Sequence, residues 1–169
     1  MNSCETIEMF YNIRIDLDKL KIASYITKII SDVTTENQNS YKIIQLFLNT
    51  LYVIANTEKD LRFVTSIFRL RLLSTIGFKP NINECKECKE KEGLNFFSFR
   101  DSGLKCKVCS KQDSGSIEIS ETTKDAIRYI ILTDAKQIFS FDIPEKDKQE
   151  LEILSKIYLT EKLEKEYKI

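Results

Sequence analysis

Apolar residues recur every three or four positions in three consecutive stretches of the first half of the chain, which is the period of an amphipathic helix. The chain contains neither glycine nor proline before Gly77, so nothing in this region interrupts a helix. The width of the apolar stripes predicts three helices packed together as a bundle. The stripes comprise Leu17, Leu20, Ala23, Ile26, Ile29, Ile30 and Val33, then Ile43, Ile44, Phe47, Leu48, Leu51, Ile54 and Ala55, then Leu61, Val64, Ile67, Phe68, Leu72, Leu73 and Ile76.

Polar residues and turn formers mark where these helices begin and end. Asp16 is suited to cap the first helix, and the polar run 34–40 predicts a loop before the second. Gly77 stands where a helix C′ glycine belongs, and Pro80 follows it. The segment 10–15 predicts a strand or an extended lead-in.

Positions 81–115 have a different character, because Lys, Glu, Cys and Gly dominate and apolar residues are few. Phe96, Phe97 and Phe99 predict a short aromatic strand, and Gly103 closes a turn in which it is suited to a positive φ. We therefore expect a β-hairpin around residues 95–105. So little apolar surface is available that we expect this segment to need an additional stabilising element.

Helical periodicity returns after this segment. Ser120 is suited to cap a helix that carries Ala126, Ile127, Tyr129, Ile130 and Ile131, and residues 134–143 form a connector. Pro144 suits the start of a last helix, from Glu145 to Tyr167. The predicted core face of that helix comprises Leu151, Leu154, Ile157, Tyr158 and Leu163.

Four of the five cysteines form two C-x2-C pairs separated by seventeen residues. Each pair can aim two sulfurs at one point, and two pairs supply the four thiolates that structural zinc binds tetrahedrally. Four protein thiolates leave no open position for a substrate, so we expect one structural Zn²⁺ and no catalytic metal. The predicted ligands are Cys85, Cys88, Cys106 and Cys109.

Other interpretations of the cysteines remain open, namely two redox disulfides, an iron–sulfur cluster or a site that has lost its metal. Cys4 lies outside the pattern and is interpreted as an incidental thiol. Six basic and four acidic residues lie between Cys85 and Cys109. Their net charge of +2 either offsets the −2 charge of a four-thiolate zinc site or marks a patch for nucleic acid.

Composition narrows the functional class. The chain has no histidine, which excludes Ser–His, Cys–His and His–metal catalysis. Its formal net charge is zero, so no strong overall field attracts nucleic acid or a membrane. No apolar run is long enough for a membrane span, and the N-terminus lacks a secretory signal, so we expect a cytoplasmic, non-enzymatic protein.

The order of these features resembles the C-terminal region of the bacterial RecO family. The run FRLRLLSTIGFKP, from Phe68 to Pro80, is similar to the family pattern F-x-x-R-L-L-x-x-x-G-Y/F-x-P that precedes a cysteine insert. An aromatic-Ser-aromatic strand at 97–99, Gly103-Leu104, the second C-x2-C pair and Ile119-Ser120 follow in the family's order. The resemblance covers roughly residues 10–169.

The resemblance implies a mainly α fold, a helical bundle with an inserted Cys4 zinc-ribbon-like β-hairpin element. It implies that 16–80 and 116–169 form the helical domain and that 81–115 form the zinc-binding insert. Residues 1–15 would be a lead-in, the remnant of a connection to an N-terminal OB-fold domain that is absent from this chain. That domain supplies much of the family's nucleic-acid binding, so we expect this chain to bind DNA weakly.

The resemblance also implies a function, as a DNA repair and homologous recombination mediator that assists strand annealing and recombinase loading. The implied partners are the RecR protein and the acidic, apolar C-terminal tail of the single-stranded-DNA-binding protein, and the implied location is the cytoplasm, at the nucleoid during repair. A tail of that kind needs cations beside an apolar slot, for which Arg62, Arg69 and Arg71 are candidates. The alternative is an unrelated zinc-ribbon adaptor in transcription or RNA metabolism.

Overall fold

The computed structural model of the protein describes residues 8–34 and 40–169. Within these residues it contains seven helices and one three-stranded antiparallel sheet, which confirms the predicted helical bundle with an inserted β element. Most of the predicted loop at 34–40 and Cys4 lie outside the described residues. The helices are α1 (Tyr11–Arg14), α2 (Leu17–Val33), α3 (Ser40–Asn56), α4 (Leu61–Thr75), α5 (Lys107–Ser110), α6 (Glu121–Leu132) and α7 (Glu145–Leu163). The strands are β1 (Phe96–Ser98), β2 (Gly103–Lys105) and β3 (Ser116–Glu118).

The helix α4 forms the centre of the bundle. It packs against α7 most extensively and also against α3, α6 and α2. Its buried side chains surround the whole helix rather than one face, and they include Phe63, Val64, Ile67, Phe68, Leu70, Leu72 and Leu73. In the described part of the chain, no helix combines the length and the apolar character needed to cross a membrane.

The predicted ends of α2 and α4 are confirmed. Asp16 accepts hydrogen bonds from the N–H groups of Asp18 and Lys19, which caps α2. At the other end of α4, Gly77 has a φ of 107°, and the Phe78 N–H donates to the Leu73 carbonyl at 2.8 Å. This is the hydrogen bond of a Schellman motif, and it requires a left-handed residue at the position that Gly77 occupies.

The first described segment is helical, so the predicted strand or extended lead-in at 10–15 is wrong. Residues Tyr11–Arg14 form the single turn α1. Ile13 is buried against the bundle, and the Asn12 side chain donates to the Ala55 carbonyl at 3.2 Å. These tertiary contacts select a turn of helix in a segment too short for its own periodicity to decide.

The sheet has the order β2-β1-β3, with both neighbours antiparallel to β1. The predicted hairpin is confirmed, but the prediction of a positive φ at Gly103 is wrong. Ser102 has the positive φ, 51°, while Gly103 lies in β2 and pairs with Ser98. Gly103 is required for another reason, because a Cβ there would lie 2.7 Å from the carbonyl oxygen of Asn81.

The segment between α4 and α6 shares the core of the bundle. Its buried apolar residues belong to one cluster with those of the helices. The Phe97 ring lies 5.3 Å from the Tyr158 ring of α7, and the Tyr158 hydroxyl donates to the Phe78 carbonyl at 2.8 Å. This segment therefore buries more apolar surface than its sequence led us to expect. The buried apolar side chains are Ile82, Leu94, Phe97, Phe99 and Leu104.

The last two helices begin as predicted. The Ser120 hydroxyl accepts from the Thr123 N–H at 3.0 Å and donates to the Asp147 carboxylate at 2.6 Å, which joins the start of α6 to the first turn of α7. Helix α7 starts after Pro144 but ends at Leu163, four residues earlier than predicted. Beyond that end, Tyr167 turns back to pack against Tyr25.

The predicted core face of α7 is confirmed at Leu151, Leu154 and Tyr158, which are fully buried. Ile157 is 40% exposed, so its assignment to the core was wrong, and Leu159 takes a core position instead. The two residues flank Tyr158 on opposite sides, and sequence periodicity alone does not decide which side a neighbouring helix covers.

Candidate metal centre

The two cysteine pairs are positioned by short turns at one end of the sheet. In the first turn, the Cys85 N–H donates to the Glu90 carbonyl and the Lys89 N–H returns to the Cys85 carbonyl. In the second, Cys106 directly follows β2 and precedes α5, which carries Cys109. The Lys86 N–H donates to the Leu104 carbonyl at 3.3 Å, which ties the first turn to the strand that leads into the second.

This arrangement brings the four predicted ligands together. All four sulfurs lie within 4.8 Å of one another, and the Cys88 and Cys106 sulfurs are 3.7 Å apart. The four residues are free cysteines, and 3.7 Å is far longer than the sulfur–sulfur bond of about 2.05 Å in a disulfide. A tetrahedron with metal–sulfur bonds of about 2.3 Å has sulfur–sulfur edges of about 3.8 Å. The cluster therefore fits a tetrahedral metal ion.

Hydrogen bonds prepare one of these sulfurs to become a thiolate. Burial opposes ionisation of the Cys85 thiol, but the backbone N–H groups of Cys88, Cys106 and Glu87 bond to it and lower its pKa to about 6. Burial and the neighbouring thiols raise the pKa of Cys109 to about 12. The backbone N–H of Glu90 favours the Cys88 thiolate, yet the adjacent sulfurs leave the pKa of Cys88 raised. Four close sulfurs thus resist simultaneous ionisation unless a cation joins them.

The charged residues around the cysteines form an ordered cluster that their net charge alone did not predict. Lys105 is buried and contacts the carboxylates of Asp101, Asp113 and Glu87. The available signal was a lysine inside the short strand GLK, immediately before Cys106, where an apolar residue would be ordinary.

The three arginines predicted to bind a partner have different environments. Arg69 is buried, with its Nε donating to the Tyr25 hydroxyl at 2.9 Å and its Nη1 to the Ser155 hydroxyl at 3.4 Å. The guanidinium also lies over the Tyr25 ring, 5.1 Å from its centroid. Arg69 therefore joins α4 to α2 and α7 inside the bundle.

Arg71 and Arg62 lie nearer the surface. Arg71 donates from Nη1 to the Ile130 and Ile131 carbonyls at 3.0 and 2.8 Å, which satisfies the C-terminal end of α6. Arg62 has 58% of its side chain exposed and lies 3.6 Å from the Glu145 carboxylate. A role for the three arginines in partner binding stays a prediction, and Arg62 is the most accessible of them.

A surface cavity of about 380 Å³ lies beside the C-terminal half of α3. We call it the α3 cavity. Apolar surface from Tyr52, Val53 and Phe139 forms much of its wall, and Lys59 and Lys136 also line it. Among the described residues, no carboxylate lines the cavity. The Lys59 ammonium group also donates to the Phe141 carbonyl at 3.1 Å, which fixes that side chain. The sequence did not predict this site because residues from two distant segments, 49–59 and 136–140, form it.

Comparison with known proteins identifies the family. The family model described as "Recombination protein O C terminal" matches residues 14–168. "DNA repair protein RecO" of Acetivibrio thermocellus is 38% identical over 168 residues, which cover 99% of this chain and 67% of that protein. The proteins of the same name from Alkaliphilus metalliredigens and Thermoanaerobacter sp. are 31% and 29% identical and are matched over 56% and 66% of their length.

The chain thus spans between 56% and 67% of the length of these three relatives. The family match includes α2–α7 and the sheet, so it extends to the bundle as well as to the cysteine segment. A zinc-ribbon adaptor unrelated to this family would share the cysteines alone. The bundle, the inserted sheet and the cysteine cluster together are those of a chain that belongs to the RecO family, within its C-terminal region.

Proposed function

We propose that this chain is the helical module of a DNA repair and recombination mediator, which acts by binding partners rather than by catalysis. The single observation that supports this most strongly is the family match across residues 14–168. The proposed role is to bring partner proteins together during strand annealing and recombinase loading, in the cytoplasm at the nucleoid. The partners proposed are a RecR-like protein and the C-terminal tail of the single-stranded-DNA-binding protein.

The α3 cavity is our candidate for the tail-binding site. An acidic, apolar tail needs an apolar slot for its side chains and cations for its carboxylates. The α3 cavity offers apolar walls from Tyr52, Val53 and Phe139, together with Lys59 and Lys136. Arg62, the predicted candidate on α4, lies three residues after Lys59 in the sequence.

The test is binding of a fluorescently labelled tail peptide, measured by anisotropy. We expect the Lys136→Glu variant to bind at least about tenfold more weakly than wild type, because it replaces a cation with an anion at the cavity. The control is Lys156→Glu, which makes the same change at an exposed position on α7. Equal affinity of all three proteins would refute the α3 cavity as the site, and failure of the wild type to bind would refute the tail as a partner.

Direct DNA binding by this chain is proposed to be weak. The formal net charge is zero, and affinity for single strands depends on cations that displace counterions from phosphates. We expect complementary strands to anneal slowly in the presence of this chain, and the annealing rate to decrease further as the salt concentration rises. Rapid annealing of complementary strands at physiological salt by this chain alone would contradict the proposal.

We further propose that the four cysteines hold one structural Zn²⁺. The sulfur–sulfur spacing and the all-thiolate donor set support zinc, although an iron–sulfur cluster uses the same donors. When bound, the ion would offset the charge of four thiolates and join the two cysteine turns. Metal analysis of purified protein is the test. One zinc per chain is the expected result, and iron with acid-labile sulfide, or no metal, would contradict it.

A further inference from the structure

The side chain of Lys105, the residue directly before Cys106, is buried with only 1% of its surface exposed. Its ammonium nitrogen lies 2.5 Å from a carboxylate oxygen of Asp101, 3.2 Å from one of Asp113 and 3.4 Å from one of Glu87. We call these four residues the Lys105 cluster. Burial opposes the lysine charge, but Asp101 and Asp113 hold the pKa of Lys105 above its ordinary range.

The three carboxylates come from three different parts of the chain around the metal ligands. Glu87 lies within the first C-x2-C pair, between Cys85 and Cys88. Asp101 is in the turn between β1 and β2, and Asp113 follows α5 beyond Cys109. One ammonium group therefore connects both cysteine turns with the tip of the hairpin.

Hydrogen bonds made by Asp101 and Asp113 attach the cluster to the sheet. The Ser98 hydroxyl of β1 donates to Asp113 at 2.5 Å and accepts from the Asp101 N–H at 3.1 Å. The Gly115 N–H donates to the other Asp113 oxygen at 3.3 Å. Ser98 and Asp113 are themselves buried. Each member of this network thus restrains its neighbours, which gives the cluster a defined geometry.

Lys105 is the buried cation of this arrangement. The three carboxylates face two cations, the buried Lys105 and the exposed Arg100, whose guanidinium lies 3.4 Å from Asp101, so the net charge is −1. Without the Lys105 ammonium group, only the exposed Arg100 would remain to offset the three carboxylates, and the carboxylates of Glu87 and Asp113 would repel each other. An apolar side chain at position 105 would fill the same volume but would not supply this attraction.

We propose that Lys105 is a positioning residue for the metal site, which holds the two cysteine turns in register through Asp101, Asp113 and Glu87. This inference rests on the proposal that the cysteines bind zinc. Groups that surround and orient metal ligands commonly change metal affinity by about 10- to 100-fold when they are removed. The Lys105 cluster is such a set of groups, although it contacts the turns rather than the sulfurs.

The test compares metal binding by wild type, Lys105→Met and Lys107→Met. Lys105 and Lys107 lie on either side of Cys106, but Lys107 is exposed, so the pair separates the buried cluster from a general effect of charge. Zinc affinity is measured by competition with a chelating dye, and the Co²⁺-substituted protein reports sulfur geometry through its visible absorption bands. We expect Lys105→Met to lose about 10- to 100-fold in affinity with altered Co²⁺ bands. We expect Lys107→Met to stay within about threefold of wild type.

A second variant tests the electrostatic reason. Adding Asp101→Asn to Lys105→Met removes one of the repelling carboxylates, so part of the lost affinity should return. Circular dichroism of the helices shows whether Lys105→Met folds. If it does not, Glu87→Gln replaces it as the test variant, because Glu87 is half exposed and the substitution weakens only one contact of Lys105. Wild-type affinity and unchanged Co²⁺ bands in Glu87→Gln would then overturn the inference.

The outcomes also separate this inference from the zinc proposal. Tight zinc binding by wild type together with unchanged binding and spectra in Lys105→Met would overturn the role of Lys105 alone. Failure of the wild-type chain to bind zinc would overturn the zinc proposal first, and this inference with it. Equal losses in Lys105→Met and Lys107→Met would also overturn it, because they would indicate a nonspecific effect of charge.

Discussion

Phe97 of the inserted sheet and Tyr158 of the last helix meet edge to face, with their ring planes inclined at 80° and their centroids 5.3 Å apart. Both residues are fully buried. Aromatic pairs in this geometry contribute about 0.5–1.5 kcal/mol beyond the burial of their surface. The contact joins the cysteine-containing segment to α7, which is the main partner of the central helix α4.

Replacing Phe97 with alanine should therefore destabilise the whole bundle. We expect the Phe97→Ala variant to lose about 3–5 kcal/mol of unfolding free energy, since it removes a buried ring and leaves a cavity in a shared core. Urea denaturation followed by helical circular dichroism measures this. The control is Val108→Ala in the same segment, because Val108 is 73% exposed and should be nearly neutral. A loss below about 1 kcal/mol for Phe97→Ala would mean that the segment and the helices unfold independently.

The Tyr158 hydroxyl offers a more conservative test of the same junction. Tyr158→Phe keeps the ring against Phe97 but removes the hydrogen bond to the Phe78 carbonyl. We expect a loss of about 0.5–1.5 kcal/mol in the same denaturation experiment. A loss as large as that of Phe97→Ala would show that the hydroxyl, and not ring packing, dominates this junction.

Zinc binding should weaken as the pH falls. The pKa values of Cys88 and Cys109 are raised, so both thiols carry protons near neutral pH, and a bound metal must displace them. Each displaced proton changes the apparent dissociation constant by about tenfold per pH unit. Below about pH 6, Cys85 also takes up a proton, and the dependence should steepen.

Competition with a chelating dye at several values between about pH 5.5 and 7.5 measures this dependence. The dye's own protonation is calibrated separately as the control. An apparent affinity that stays constant across this range would show that the thiols are already ionised in the metal-free protein, contrary to the raised pKa values of Cys88 and Cys109.

Gly103 should tolerate no side chain. A Cβ at this position would lie 2.7 Å from the Asn81 carbonyl oxygen, so Gly103→Ala must push two backbone segments apart. We expect a loss of about 1–3 kcal/mol in thermal or urea unfolding. Gly115→Ala is the matched control, because a Cβ there would meet Asp113 at an ordinary 3.7 Å. Similar stability of both variants would indicate that the Asn81 and Gly103 segments can separate at little cost in free energy.

The sequence predicted the long helices well because their signals are local and repeated. Asp16 and Ser120 cap the helices they were assigned to, and Gly77 ends α4 with a positive φ. Two C-x2-C pairs likewise needed only spacing to predict a cluster, and the structure brings their four sulfurs together. In each case a few neighbouring residues carry the physical reason for the geometry.

What the sequence did not predict depends on residues far apart in the chain. Ile157 and Leu159 are equivalent by periodicity, and only the neighbouring helices decide which one is buried. Arg69 looked like a surface cation, but Tyr25 and Ser155 lie 44 and 86 residues away in sequence and provide it with buried partners. The α3 cavity and the Lys105 cluster were missed for the same reason.

The burial of Phe97 against Tyr158 also has a kinetic consequence. The core around α4 is complete only when α7 packs against it. The whole inserted segment lies between these two helices in the sequence. Contacts between segments so far apart in the sequence slow folding, because the entropy lost in closing a long loop comes before the contacts that compensate for it. If the four cysteines hold zinc as proposed, metal supplied early would order that loop and shorten the search. A shortage of metal during synthesis would then reduce the yield of folded chain before it changed the stability of chains already folded.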